Sequence, residues 1–247
     1  PREAGDEPHL IASALPGVPV IVGERRGEAA FAAWEQFKPG VILLDDGVQH
    51  RALSRDIDVV TLDAAHPFGN GHLLPRGLLR EPPESLARAG AVMFTRCTPE
   101  MERGLLEAAA RKHNHRIEVF FSRHVPAGLR GLHDGTVSDP GSLRGKRVAA
   151  LSAVADPASF HRTLESLGAS VILKNPMPDH HRHTAEDLVR MARDAAEAGA
   201  SAVVATAKDE RNLPDPLPPL SVDLLILDIE AELIDGKRLR VDPRVLQ

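Results

Sequence analysis

Two adjacent carboxylates follow directly after an apolar run in the segment VILLDDGVQH, residues 41–50. Successive residues of a strand point to opposite faces, so four apolar residues in a row predict a strand that is buried on both faces. Charge at the end of such a strand is costly unless something pairs with it. Because ligands of open α/β sheets bind at the carboxyl ends of strands, Asp45 and Asp46 could hold Mg²⁺ there, directly or through water. The alternative is that Asp45 caps a turn and Asp46 faces solvent.

A second group of charged residues lies in the segment 66–83, which has three glycines, four prolines and no periodic pattern. A loop of this length inside a compact domain is usually functional or disordered, and its leucines and phenylalanine favour an ordered one. Arg76 and Arg80 suit a phosphate or carboxylate group, and Glu81 could join the aspartates near a metal. A solvated surface loop is the competing interpretation.

The segment NPMPDHHRHT, residues 175–184, places three histidines between a predicted strand and a predicted helix. Histidine-rich tracts suggest zinc. However, His180, His181 and His183 lack the i, i+4 spacing of a helical zinc pair, and no cysteine is placed to help them. General acid–base chemistry or phosphate contact is therefore favoured over zinc. Exposed imidazoles in a loop before a helix are the alternative.

The composition of the 247-residue chain is that of an ordinary globular protein, with 43% hydrophobic and 26% charged residues. Its net charge of −5 gives no electrostatic reason to expect a nucleic acid partner. A single cysteine, Cys97, excludes an intrachain disulfide and fits a reducing, cytoplasmic setting. No apolar run approaches the roughly 18–20 residues that cross a bilayer.

Strand-like apolar runs alternate with amphipathic stretches, which predicts an α/β protein with helices on the faces of its sheet. In the first half, the predicted strands are VPVIVG (18–23), VILLDD (41–46), IDVVTLDA (57–64) and AVMFTR (91–96), and the predicted helices are 25–37 and 99–113. In the second half, the predicted strands are 147–154, 170–175 and 202–208, and the predicted helices are 156–168 and 184–199, the latter with Thr184 as N-cap and Gly199 as its stop. Long strands near 117–125 and 224–233 are candidates to join two α/β lobes.

The block DDGVQHRALSRDIDVVTLDAAHPFGNGHLLPRGLLREP, residues 45–82, resembles the signature region of the tetraacyldisaccharide 4′-kinases, the lipid A 4′-kinases. The motifs GDEP (5–8), PDHH (178–181) and KD (208–209) recur in the order that this family has. The resemblance implies a P-loop-kinase-like architecture of two α/β/α lobes joined by a two-stranded hinge. It divides the chain into the remainder of the P-loop kinase lobe (1–116), a hinge strand and linker (117–143), a second α/β lobe (144–220), and a return hinge strand with a C-terminal tail (221–247).

The resemblance also implies an activity and its partners. Members of this family transfer the γ-phosphate of ATP, with Mg²⁺, to the 4′-hydroxyl of tetraacyldisaccharide 1-phosphate. They act peripherally at the cytoplasmic face of the bacterial inner membrane. Carried over residue by residue, the catalytic positions are Asp6 and His180, the nucleotide-binding positions are Asp45, Asp46, Gln49, His50 and Arg80, and the metal-binding positions are Asp45, Asp46 and Glu81.

The sequence departs from the family pattern in several places. Val48 stands where the family usually has Phe, His183 stands where Tyr is common, and ATAKD (205–209) lacks the usual Glu before Lys208. The phosphate-cradling motif GxxxxGK[ST] occurs nowhere in residues 1–247, and the family's hydrophobic N-terminal helix is also missing. Since the chain begins PREAGDEPHL without an initiator methionine, we expect it to be a family protein without its N-terminal segment and without useful kinase activity of its own.

Two other functions fit parts of the same pattern. A non-catalytic module that binds phosphoglycan or nucleotide sugar would need no P-loop. A metal-dependent phosphohydrolase could use Asp45, Asp46 and the histidine cluster.

Overall fold

A computed structural model describes residues 6–154, 156–177, 181–234 and 236, except for the side chains of Asp6 and Pro176. The chain divides into two compact units, the first formed by residues 1–123 and 231–247 and the second by residues 124–230. Strands and helices alternate in both units, which confirms the predicted α/β class. The predicted division into lobes and hinge segments stays a prediction.

The first unit is a parallel sheet with helices. Its helices are α1 (Asp6–Ala14), α2 (Arg26–Phe37) and α3 (Arg103–Arg111), and its strands are β1 (Val59–Asp63), β2 (Ala91–Thr95) and the first part of β3 (Glu118–Gly131), in the order β1-β2-β3. The buried residues of its core come mainly from β2, β3 and the segments before and after them: Ala64, Leu86, Ala89, Val92, Phe94, Cys97, Ala110, Ile117, Val119 and Phe121.

The second unit is also mainly parallel. Its elements are β4 (Val137–Ser138), β5 (Arg147–Ser152), α4 (Pro157–Ser166), β6 (Ser170–Pro176), α5 (Ala185–Glu197), β7 (Ala202–Thr206), α6 (Ala207–Glu210) and β8 (Asp223–Leu233), most of which lies in this unit. The strand order is β3-β8-β7-β5-β6, and β4 pairs antiparallel with β3. Two buried clusters lie in this unit, one centred on Leu151 and Leu188 and the other on Leu143 and Leu164.

The start of α5 follows from its local sequence. The hydroxyl of Thr184 accepts a hydrogen bond from the amide of Asp187 at 3.1 Å, and the Asp187 carboxylate accepts one from the Thr184 amide at 3.2 Å. This capping box satisfies amides that a helix leaves without partners, so the predicted N-cap is confirmed. Gly199 has φ +79, which confirms the predicted stop, since glycine adopts this left-handed conformation without strain.

Two of the predicted strands are wrong. Residues 18–23 and 41–44 have no strand conformation, and 45–46 form a turn. Leu43 is 90% exposed, where the apolar run predicted burial on both faces. An apolar segment becomes a buried strand only when a neighbouring strand supplies its backbone partners. Among the described residues, no strand pairs with either segment.

Helix α2 forms where it was predicted but packs little. None of its residues is buried, and Phe31 and Trp34 are each at least half exposed. Apolar side chains of α2 and of 41–44 together leave a large apolar surface on the first unit open to solvent.

No helix within the described part of the chain is both long enough and apolar enough to span a bilayer.

Candidate active site

A cleft of about 1310 Å³ lies within the first unit. Its walls come mainly from three segments, residues 39–49, 53–63 and 78–86, with further residues from the loop 66–69 and from helices α1 and α2. Five of the predicted site residues line it: Asp45, Asp46, Gln49, Arg80 and Glu81. His50 lies in the adjoining turn, where its amide donates to the carbonyl of Gly47 at 3.0 Å and its carbonyl accepts from Arg55 at 2.6 Å.

The acidic pair lies on a tight turn. Asp46 has φ +50, a left-handed conformation that aspartate tolerates better than most residues. A side chain at Gly47 would place its Cβ 2.8 Å from the Cβ of Leu44, so glycine is required there. The turn thus places two exposed carboxylates in the wall of the cleft, where the sequence predicted the end of a strand.

Asp46 and Arg80 form an ion pair between the acidic turn and the loop 66–83. The two residues are 34 positions apart in sequence, and their side chains are 60% and 59% exposed. An ion pair so open to water contributes little to folding stability. The ion pair instead holds a carboxylate and a guanidinium side by side in the cleft. A carboxylate can bind a metal cation, and a guanidinium can bind a phosphate.

Glu81, next to Arg80, is held by other arginines. Its Oε2 lies 2.5 Å from Nη2 of Arg88 and 3.7 Å from Nη2 of Arg51. The hydrogen bond from Arg88 holds the pKa of the Glu81 carboxyl below its ordinary value, although partial burial opposes the shift. Glu81 therefore orients two guanidinium groups beside the cleft, and its role as a metal ligand stays a prediction.

The donor groups of the cleft suit Mg²⁺. No group of three or more histidine, cysteine or carboxylate side chains within the described ranges could hold a metal ion. Mg²⁺ does not need such a group, because it is commonly bound by one or two carboxylates together with water and substrate phosphates. Asp45 and Asp46 meet this requirement, since both are exposed carboxylates in the wall of the cleft.

A further ion pair was missed by the sequence analysis. Asp63 at the end of β1 pairs with Arg96, which directly follows β2 and has φ +59. Because β1 and β2 are parallel neighbours, their carboxyl ends meet at one edge of the sheet, where ligands of α/β proteins bind. Arg96 was the last residue of its predicted strand and Asp63 the last but one of its own, and this shared position was the signal that could have found them. Asp63 also lines the cleft.

The loop 66–83 is ordered, as predicted. Its tip is fixed by backbone hydrogen bonds from Leu74 to Leu79 (2.9 Å), from Leu79 to His72 (3.2 Å) and from Gly77 to Leu73 (2.9 Å). A Cβ at Gly77 would lie 2.0 Å from the carbonyl oxygen of His72, so only glycine fits this close approach. The tip presents Arg76 and three leucines to solvent.

In the second unit, the histidine segment is partly described. His183 is buried, its amide donates to the carbonyl of Asn212 at 2.8 Å, and its ring lies edge-on to that of His181 with centroids 5.0 Å apart. Burial lowers the pKa of the His183 imidazole. Within the described ranges, neither ring nitrogen of His183 has a hydrogen-bond partner. The predicted catalytic residue His180 lies outside the described residues, as does the side chain of Asp6.

A parallel α/β unit with carboxylates and arginines in one cleft is typical of proteins that bind phosphorylated ligands. The family model described as tetraacyldisaccharide-1-P 4′-kinase matches residues 1–243. The chain belongs to this family, as the sequence motifs predicted.

Named relatives agree with the family match. The tetraacyldisaccharide 4′-kinase of Anaeromyxobacter dehalogenans (strain 2CP-C) is 50% identical over 241 residues, covering 95% of this chain and 62% of the relative. That of Syntrophus aciditrophicus (strain SB) is 41% identical, covering 93% of this chain and 63% of the relative. A crystal structure of LpxK from Aquifex aeolicus in complex with ATP matches with a TM-score of 0.65 and 27% identity, over 94% of this chain and 65% of that one. The chain therefore spans less than two thirds of the length of these proteins.

Proposed function

We propose that this chain forms the Mg²⁺ and nucleotide side of an ATP-dependent tetraacyldisaccharide 4′-kinase. The observation that carries the proposal is the meeting of Asp46 and Arg80 in one cleft, from two motifs that are far apart in sequence. The proposed reaction joins the 4′-oxygen of tetraacyldisaccharide 1-phosphate to the γ-phosphorus of ATP. The bond between that phosphorus and the bridging oxygen breaks, ADP leaves, and the hydroxyl proton passes to a base.

Each cleft residue has a role in this proposal. Asp45 and Asp46 would hold Mg²⁺, which supplies neutralisation of the charge on the phosphates. Arg80 contacts phosphate oxygens, for which a guanidinium is well shaped. Gln49 and His50 extend the same turn toward the nucleotide. The carboxylate of Glu81 keeps Arg51 and Arg88 in place beside it.

The proton acceptor is proposed from the family resemblance. Asp6 in GDEP would take the proton of the 4′-hydroxyl, and His180 in PDHH would orient Asp6 or adjust its basicity. A free aspartate with a pKa of about 3.9 is a weak base, so a supporting group is chemically reasonable. If the two residues act as one unit, Asp6→Ala and His180→Ala will each reduce kcat, and the double variant will be little worse than either. If the loss of kcat in the double variant equals the product of the two single losses, the coupling is contradicted.

A phosphate cradle is also needed. Residues 1–247 contain no GxxxxGK[ST] motif, whose backbone amides and lysine bind the β- and γ-phosphates in P-loop enzymes. We therefore expect residues 1–247 alone to transfer phosphate far more slowly than a protein that includes such a cradle. The acceptor is a lipid, so we further propose that the reaction occurs at the cytoplasmic face of the inner membrane, with peripheral attachment.

The test is a chimera in which this chain replaces the matching part of the Anaeromyxobacter dehalogenans relative. The purified chimera is incubated with γ-labelled ATP, Mg²⁺ and tetraacyldisaccharide 1-phosphate, and labelled lipid is measured beside the intact relative and beside residues 1–247. We expect the chimera to approach the relative in rate and residues 1–247 to fall far below both. A folded chimera that binds ATP but does not label the lipid would refute the proposed kinase. ATP-independent release of phosphate by residues 1–247 would favour the phosphohydrolase instead.

A further inference from the structure

The tip of the loop 66–83 presents an apolar surface on a fixed backbone. We call residues 72–79 the leucine loop. Its Leu73, Leu74 and Leu78 are 44%, 60% and 77% exposed, although the backbone hydrogen bonds of the tip hold it in one conformation. Single exposed leucines are common on protein surfaces. Three exposed leucines on one ordered tip are instead typical of an interaction site.

The leucine loop itself carries one charged side chain, Arg76, which is positive. Residues 64–79 contain no acidic residue, and the nearby carboxylates of Asp46, Glu81 and Asp63 are paired with Arg80, Arg88 and Arg96 respectively. Arg76 is exposed and lies between Leu74 and Leu78 in sequence. A tip that combines exposed leucines with arginine matches an anionic lipid surface, where the apolar chains enter the acyl region and the guanidinium meets phosphates.

The other large apolar surface of the first unit has the opposite charge. Residues 6–44, which include α2 and the exposed Leu43, carry five acidic and three basic residues. An anionic lipid surface would repel this region and attract the leucine loop. Charge therefore distinguishes the two apolar surfaces as lipid contacts.

The size of the leucine loop also favours lipid over protein. Stable protein–protein interfaces bury about 1,200–2,000 Å² in total, which a tip of eight residues cannot supply by itself. Insertion into a lipid surface has no such requirement, because each leucine transferred from water contributes separately. Leu78 and Arg80 line the cleft, so a membrane at the loop would lie beside the proposed phosphate site.

We propose that the leucine loop docks the protein on an anionic lipid bilayer, with Leu73, Leu74 and Leu78 among the acyl chains and Arg76 at the headgroup phosphates. The proposal rests on the proposed function only in that a lipid acceptor makes such docking useful. It assigns the membrane contact to one loop that borders the cleft.

The test measures binding of residues 1–247 to vesicles, without ATP or acceptor. Flotation is compared for vesicles of equal parts phosphatidylglycerol and phosphatidylcholine and for phosphatidylcholine alone. The variants are Leu74→Ser/Leu78→Ser and Arg76→Gln, with Leu105→Ser and Leu43→Ser as matched controls, since Leu105 is 65% exposed on α3 and Leu43 is 90% exposed. Circular dichroism checks that each variant is folded.

We expect the double leucine variant to bind anionic vesicles at least about tenfold more weakly than the unchanged chain. Arg76→Gln should weaken binding to anionic vesicles and leave binding to phosphatidylcholine unchanged, and the two controls should bind normally. Unchanged binding by the double leucine variant, or a loss confined to Leu43→Ser, would overturn the proposal. So would a dimer in analytical ultracentrifugation that the double variant abolishes, because the loop would then bind a second copy. Since vesicle binding needs no phosphoryl transfer, a kinase assay that fails does not decide this test.

Discussion

At the scale of single residues, the pairing of Asp46 with Arg80 allows a test that separates chemistry from stability. In the chimera, Asp46→Asn and Arg80→Gln should each lower kcat/KM about 100-fold, because each removes a charged group proposed to stabilise the transferring phosphate. The same variants should change the free energy of unfolding by less than about 1 kcal/mol, since the pair is more than half exposed. Steady-state kinetics and urea unfolding measure the two effects.

The matched control is Arg25→Gln. Arg25 pairs with Glu28 at 2.8 Å and is 81% exposed, so it resembles Arg80 in charge, pairing and exposure but is not part of the acidic turn. It should leave kcat/KM unchanged. If Asp46→Asn and Arg80→Gln behave like this control, Asp46 and Arg80 form only a surface ion pair.

His183 should make folding stability depend on pH. Because burial lowers its pKa in the folded state, the unfolded chain takes up a proton at a higher pH than the folded chain does. The contribution of His183 is therefore complete above the unfolded pKa of about 6.5 and is lost as the pH falls toward the folded value. We expect the free energy of unfolding to decrease from pH 7.5 to pH 5.5, at no more than about 1.4 kcal/mol per pH unit for one proton.

Urea unfolding of His183→Gln across the same pH range checks this prediction. The variant should show a smaller slope, although not a flat one, because burial also lowers the pKa of His161. His115→Gln, at an exposed position, should keep the original slope. An unchanged slope in His183→Gln would show that His183 does not carry the effect.

At the scale of elements, the apolar run 41–44 and strand β5 offer a direct comparison. Leu151 in β5 is fully buried, whereas Leu43 is 90% exposed. Leu151→Ala should cost about 2–5 kcal/mol of unfolding free energy, and Leu43→Ala less than about 0.5 kcal/mol. Urea unfolding measures both in residues 1–247. Equal costs would mean that the apolar run is buried in solution.

Most elements of the second unit could be predicted from sequence to within about two residues. The apolar pattern predicted strands β5 and β7 and helix α5 correctly, because their apolar side chains pack against one another in one buried cluster of the second unit. The pattern at 41–46 was equally apolar, but periodicity records only which side chains favour burial. It carries no information on whether another strand lies alongside.

The site was predictable in its residue types and less so in its contacts. The resemblance identified Asp46, Arg80 and Glu81, but not that Arg80 would pair with Asp46 while Glu81 pairs with Arg88. Such contacts depend on how a loop folds back over many residues, which local sequence does not specify. The pair of Asp63 with Arg96 was missed for the same reason, since it required the neighbour order of two strands.

At the scale of the whole molecule, helix α2 should open at a lower denaturant concentration than the one at which the buried strands unfold. Trp34 is the only tryptophan and there is no tyrosine, so the fluorescence reports on α2 in the first unit. Since α2 has no buried residue, it should open at a small free energy. We expect the Trp34 emission to change at lower urea than the far-UV circular dichroism, and hydrogen exchange to protect β5 and β7 more than α2. Coincident transitions by both probes would contradict this.

The first unit contains both an early and a late stretch of the chain, residues 1–123 and 231–247. Ile234, from the late stretch, packs against the core of this unit and donates its amide to the carbonyl of Phe121 at 2.9 Å. During synthesis on a ribosome, this contact cannot form until the whole second unit has been translated. Although domains generally fold in the order in which they are made, here the later unit can finish first. Until residues 231–247 have been synthesised, part of the core of the first unit stays exposed to solvent. We therefore expect the first unit to depend on chaperones more than the second unit does.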